Sequence, residues 1–400
     1  MRQLVFVRKG KRNLQKNGGA LKSRWQTYVG GLDASARAHN TGIDLLRILS
    51  MFYIVEAHTI TKELGGIFNT AVPGTVQYLL CSLLMAIGMA SVDIFGLISG
   101  YVGYSEKRKP VRITSMLQLY LQVVTYGVVV AAAFLILRPQ AVSIKHFIMP
   151  FIPITGNLYW YYTAYFGLFL VMPLLNAGLR HTPKRILRVM LIVMFAAFSV
   201  YACFCDRFKT DTGYSTIWLI FLYIMGGILR KCEVGKSLKP WMIAAGIVGL
   251  TCVGCLWKAY GLEIGAAGVG LQREMLIYLI SPTILGASVL YVIGFSRIRF
   301  GTFMMRLAAF ASPCVFAVYL LNGSELISVN LLKGRFEYLG TASPLVLVGT
   351  VLGFSAAFVA VSILIDRVRL RVFGLLHIPQ MLSAVDRAAH KYARKWISDD

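Results

Sequence analysis

Ionisable side chains well inside runs of otherwise apolar residues include Asp44, Arg47, Glu56 and His58 within 41 to 62, Asp93 within 76 to 101, and Glu325 within 307 to 330. An ionisable group in apolar surroundings is costly by several kcal/mol, so each is a candidate for chemistry. On a helix, the 11-residue step from Arg47 to His58 makes about three turns and rises about 16 Å. The two side chains therefore share one face. Asp44 joins them, three residues before Arg47, whereas Glu56 points to the opposite side. An imidazole titrates near neutral pH and suits proton transfer. A guanidinium fork matches phosphate oxygens. Competing roles are purely structural: Arg47 snorkelling to the membrane boundary, His58 bonding across helices.

Asp93 sits toward the middle of SVDIFGLISGYVGYSEKRKP, where it could orient an imidazole or accept a hydrogen bond from a hydroxyl. Gly88, Gly96 and Gly100 on the same run suit close approach of a neighbouring helix. The cluster KRKPVR at 107 to 112 offers Lys109 and Arg112 as phosphate contacts, with topogenic charge as the alternative reading. NLYWYYTAYFGLFLVMPLLN opens with Tyr159, Trp160, Tyr161 and Tyr162, which suit either an interfacial aromatic belt or a platform for stacking sugars.

What must position these groups is an all-α polytopic membrane protein. The 400 residues are 57% hydrophobic and 14% charged, with mean hydropathy +0.66, too little polar surface for a soluble globule. Runs long enough to cross a hydrocarbon core of roughly 30 Å predict about ten helices, at 41–62, 76–101, 112–137, 157–178, 186–205, 214–229, 241–257, 274–295, 307–330 and 342–365. Membrane strands would be shorter and alternate polar with apolar.

The net charge of +24 reports topology. With the N-terminus in the cytoplasm, 31 of the 41 Lys and Arg fall on that face and nine on the other, and Arg47 lies within the first span. Cytoplasmic loops retain basic residues, so both termini are expected inside, with contact to anionic lipid and no nucleic-acid partner. Arg47 then lies at the inner boundary and His58 in the outer half.

The expected organisation is a basic cytoplasmic segment at 1–40, a transmembrane domain at 41–365 and a cytoplasmic tail at 366–400. No apolar stretch preceding a cleavage site is evident, so no cleaved signal is expected. In the tail, Met381, Leu382, Val385, Ala388, Ala389 and Tyr392 recur at helical spacing opposite Arg387, Lys391 and Lys395, predicting an amphipathic helix on the inner leaflet. Cys252 and Cys255 form a CxxC with no further ligands nearby, and no metal site is expected.

In this order the motifs resemble acyltransferase family 3, the membrane O-acyltransferases. NTGIDLLRILSMFYIVEAHTI is similar to the family's opening, with Arg and His separated by ten residues, here Arg47 and His58. SVDIFGLISGYV, LYWYYTAYFGLFLVMPLLN, FLYIMGGILRK, SPCVFAVYLLNGSEL and ILIDRVRLRVFG also resemble family patterns, so the likeness runs from about residue 40 to 374. One departure is Asn322, where many relatives carry a His, and an amide cannot act as acid or base at neutral pH.

The resemblance implies transfer of an acyl group, usually acetyl, from cytoplasmic acyl-CoA to a hydroxyl of an extracytoplasmic or lipid-linked glycan, in a bacterial cytoplasmic membrane. It implies that His58 is catalytic and that Arg47 and Arg112 support the donor; the residues themselves add Lys109 as a donor contact and suit His58 to act as general base. Asp93 or Glu56 would orient His58, and Tyr161, Trp160, Asn322 and Glu325 would meet the acceptor. A transporter or flippase of a glycan or lipid precursor is the alternative, since buried charges also line permeation paths. Such folds carry two similar halves, and no convincing match joins spans one to five with six to ten. An inactive relative acting as sensor or assembly partner is the third reading. The acceptor's identity and the oligomeric state stay open.

Overall fold

Glycines let the central helices approach until backbone meets backbone. The computed structural model describes residues 40–107, 113–261, 272 and 274–397. Among these, α1 (Thr41–Ile60) packs on α2 (Val76–Gly103), and α2 packs on α6 (Thr216–Lys231). A Cβ added at Gly88 would lie 2.8 Å from the Ala57 methyl of α1. One at Gly100 would lie 1.9 Å from the Tyr223 carbonyl oxygen of α6, and one at Gly226 2.0 Å from the Leu97 carbonyl oxygen of α2. These approaches bring α1, α2, α6 and α8 (Pro282–Arg297) around one core of Leu46, Ile94, Leu97, Trp218, Leu222 and Leu285.

The remaining helices surround it: α3 (Ile113–Leu137), α4 (Trp160–His181), α5 (Lys184–Phe204), α7 (Pro240–Tyr260), α9 (Thr302–Asn322), α10 (Pro344–Leu375) and the C-terminal α11 (Ile378–Ile397). No strand occurs among the described residues. Among the described residues, seven helices are long and apolar enough to cross a membrane: α2, α3, α4, α5, α7, α9 and α10. The other three expected segments are helical but different in kind. α1 carries Asp44, Arg47 and Glu56, and α6 and α8 have 16 residues each, about 24 Å of rise.

Several boundaries differ from expectation, each for a local reason. Residues 274–281 are turns, and α8 begins at Pro282 because the Ser281 hydroxyl accepts from the Ile284 N–H and proline suits a first helical position. α9 tightens into a 3₁₀ turn at Ser312–Cys314, where Pro313 sits, and it ends at Asn322, before Glu325. α10 continues to Leu375, so the boundary expected at 365 falls inside a helix whose Asp366 is fully buried.

Asp366 accepts from Gln122 (3.0 Å), Tyr126 (2.9 Å) and both Nε (2.6 Å) and Nη2 (2.9 Å) of Arg369, tying α10 to α3. Removing one partner from a satisfied buried pair of this kind costs about 3–5 kcal/mol. Lys231 donates to the carbonyls of Leu179, Arg180 and Thr182 at 2.7–2.9 Å, closing the C-terminus of α4. The expected tail helix is α11, and its Asp386 accepts from the Thr114 N–H (3.2 Å) and hydroxyl (2.6 Å) at the start of α3.

Candidate active site

His58 lies in the last turn of α1, where a chain reversal holds the helix in place. The Gly65 N–H bonds the His58 carbonyl (2.9 Å), Leu64 and Gly65 accept from the Gly334 and Phe336 N–H groups (2.7 and 3.0 Å), and Gly66 turns with φ +89°. That φ favours glycine, because a Cβ is crowded there. The loop leading to α10 thereby anchors the outer end of the helix that carries the imidazole.

The imidazole Nδ1 meets the side-chain carbonyl oxygen of Asn322, the last residue of α9. Since an amide oxygen only accepts, Nδ1 carries the proton and Nε2 is left with its lone pair. Asn322 is 1% exposed, and its Nδ2 has no hydrogen-bond partner. Its position is secured from α4: the Tyr159 hydroxyl donates to the Leu320 carbonyl (3.1 Å), and the Tyr161 N–H donates to the Tyr319 hydroxyl (3.2 Å).

His58 lines a mostly apolar cavity of about 300 Å³. Met51, Ile54, His58 and Thr61 recur at three- and four-residue steps, so one face of α1 forms a wall, and Met89, Val92 and Phe95 of α2 face it. Trp160 and Tyr161 line the same cavity with Tyr214 and Tyr319. The Trp160 ring centroid lies 4.7 Å from Tyr214 and 5.4 Å from Tyr161, which stands 6.1 Å from Tyr319. An aromatic wall of this kind offers flat apolar faces beside the imidazole.

A second, more polar chamber of about 800 Å³ adjoins the first. Thr61, Glu63, Met85, Met89 and Tyr214 line both. Lys62, Asn69, Lys258 and Glu274 line the second alone.

Arg47 pairs with Asp44 at 2.9 Å, and Asp44 also accepts from the Ser312 hydroxyl (3.2 Å) of α9. The Arg47 side chain remains 27% exposed, with Tyr165 in electrostatic reach. The shared α1 face thus carries the imidazole within the cavity wall and the guanidinium one turn before its first residue, Met51, with Arg47 itself lining neither cavity.

Two expected partners of His58 do not touch it. Glu56 lies off the opposite face, two residues or about 200° away, fully buried near Tyr53 and Tyr291 with both oxygens lacking a hydrogen bond. Asp93 faces α6 instead, accepting from Trp218 Nε1–H at 2.9 Å with its second oxygen unpartnered. It stands behind the aromatic wall, in electrostatic reach of Tyr161 and Tyr214.

Glu325, expected at the acceptor, is exposed beyond the end of α9 and pairs with Lys145 (3.2 Å), with His146 Nε2 at 3.8 Å. The apolar run extends past Asn322, but the helix does not. Asn322, expected as an acceptor contact, touches the imidazole. Lys109 and Arg112 lie outside the described residues.

Sequence reasoning missed Tyr214 and Tyr319, whose aromatic character alone does not mark them. It also missed Lys258, 9% exposed as a side chain and paired with Glu274 at 3.2 Å. A lysine one residue past an apolar run was a readable signal. Cys255 is buried, Cys252 is exposed, and neither is in a disulfide.

A family model described as an acyltransferase domain matches residues 40–367, which takes in every described helix that lines the two cavities. No curated protein and no solved structure matches the chain.

Proposed function

Because this chain belongs to acyltransferase family 3, and is thereby a membrane acyltransferase, we propose that it transfers an acetyl group from cytoplasmic acetyl-CoA to a hydroxyl of an extracytoplasmic or lipid-linked glycan, with His58 as general base. The observation that carries this reading is the Asn322 carbonyl on His58 Nδ1, which leaves Nε2 to take a proton inside an apolar cavity.

With the N-terminal side in the cytoplasm, Arg47 meets the donor's phosphates, aided by Lys109 and Arg112 of the basic sequence at 107 to 112. The pantetheine arm extends along the α1 wall past Met51 and Ile54, and brings the thioester to His58. His58 Nε2 removes the proton of the acceptor hydroxyl as its oxygen attacks the thioester carbonyl. The C–S bond of the resulting tetrahedral adduct breaks, and the sulfur takes the proton from the imidazolium. The products are an O-acetyl ester and CoA thiol. Trp160 and Tyr161 supply flat faces beside the imidazole, against which the edge of the acceptor that reaches His58 packs.

The apolar lining supports this reading because excluding water protects the thioester and strengthens the His58–Asn322 interaction. The test is release of CoA thiol by purified protein given acetyl-CoA and glycan from the cells that make it. We expect glycan-dependent release, reduced about a hundredfold or more in a folded His58→Ala variant. A transporter or an inactive relative would release none.

A further inference from the structure

The two cavities differ in chemistry and meet beside His58, and we propose that the larger one is the acceptor's chamber, built for a neutral, polyhydroxylated sugar unit. This rests on the acyltransferase reading above. At about 800 Å³ the chamber has the size of a typical small-molecule site, ample for a polar ligand. It joins the apolar cavity through Thr61, one turn beyond His58, and through Glu63 and Tyr214. A hydroxyl presented through this neck arrives at the imidazole from the side away from Arg47.

Charge defines the ligand class. Among the described residues the chamber is lined by two lysines, Lys62 and Lys258, and two glutamates, Glu63 and Glu274, whose charges balance. Lys258 is held between Glu274, at 3.2 Å, and the Phe68 ring, 4.8 Å from its centroid. A buried lysine whose charge is already matched attracts a polyanion poorly. Glu63, at the neck, repels one at the point where it would enter the reaction site. Neutral hydroxyls, by contrast, find alternating donors and acceptors in Asn69, Thr70 and the charged groups. A phosphate-rich polymer would want the opposite arrangement, an excess of Arg and Lys.

The test narrows the chamber without touching the apolar cavity. Val72 lines only the larger chamber and is 59% exposed, so Val72→Cys accepts a bulky maleimide. In membranes containing the cells' own glycan, acetyl-CoA is supplied and two products are followed: acetylated glycan and acetate from hydrolysis, in which water is the acceptor. We expect modification to cut glycan acetylation by about tenfold or more, ~1.4 kcal/mol or more, while hydrolysis persists. The parent chain treated with the same reagent accounts for its seven native cysteines.

Glycan acetylation that survives full labelling of the Val72→Cys protein overturns the chamber, and loss of both products overturns it as well, by making this the donor's route. Absence of both products before labelling is instead a failure of the acyltransferase reading. The ligand class has its own readout. Acceptor KM should change less than about twofold when ionic strength rises from about 0.01 M to 1 M, over which the Debye length shrinks from roughly 30 to 3 Å. A severalfold rise in KM contradicts a neutral acceptor.

Discussion

The apolar cavity and the polar chamber share five lining residues yet treat a ligand in opposite ways. The first is walled by one face of α1 and the facing side of α2, with Met51, Met89 and Phe95, and the imidazole of its His58 meets the Asn322 amide. The second is lined by loop residues and by charges at helix ends, with Lys258 held against Glu274. Reactive acyl groups last longer where water is scarce, and sugars are soluble where it is plentiful. The imidazole lines the apolar cavity one turn from Thr61, which lines both, so one residue lies within reach of both regions. The difference teaches that the polarity step along α1 organises this site as much as any single side chain does.

Blocking the apolar side should give the largest effect. A tryptophan at Met51, at the end of the wall nearer Arg47, should abolish glycan acetylation and acetyl-CoA hydrolysis together, by about a hundredfold or ~2.7 kcal/mol. Met51→Leu, which nearly conserves volume, should retain most activity and serves as the packing control. A Met51→Trp protein that is folded and loses only glycan transfer would reverse the assignment of the two regions.

Asn322→Leu comes next. It leaves the His58 Nδ1–H without its acceptor, a loss of about 1–3 kcal/mol, so kcat should drop roughly ten- to hundredfold with either acceptor. Both KM values should hold, because Asn322 contacts the imidazole and lines neither cavity. A change confined to acceptor KM would instead return Asn322 to the acceptor side.

Arg47→Gln should raise the KM for acetyl-CoA about tenfold, ~1.4 kcal/mol, and leave acceptor KM alone. Initial rates against each substrate separate the two. Glu56→Gln should have the smallest effect, less than about twofold on either product, since its carboxyl faces Tyr53 and Tyr291, away from both regions. A large loss of hydrolysis in that variant would extend the reaction site to the opposite face of α1.

Helical periodicity made α1 legible, because Asp44, Arg47 and His58 recur on the face whose Met51, Ile54 and His58 line the apolar cavity. The close packing at Gly88 and Gly100 was readable for the same reason, small residues at positions where helices approach. The His58–Asn322 contact was not readable as such. Its partners are 264 residues apart, and no spacing rule reaches across that distance. Asp93 misled because an apolar run shows that a carboxylate is buried but not which neighbour it faces, here Trp218. Glu325 misled because hydrophobicity continues after α9 has ended.

The central claim is that His58 carries the proton in acyl transfer to a surface glycan. Mass spectrometry of that glycan, from cells making either the parent chain or His58→Ala at equal membrane abundance, tests it most directly. The account predicts that the mass of one acetyl group per modified sugar appears with the parent and is missing with the variant. Glycan acetylated to the same extent in both would contradict it.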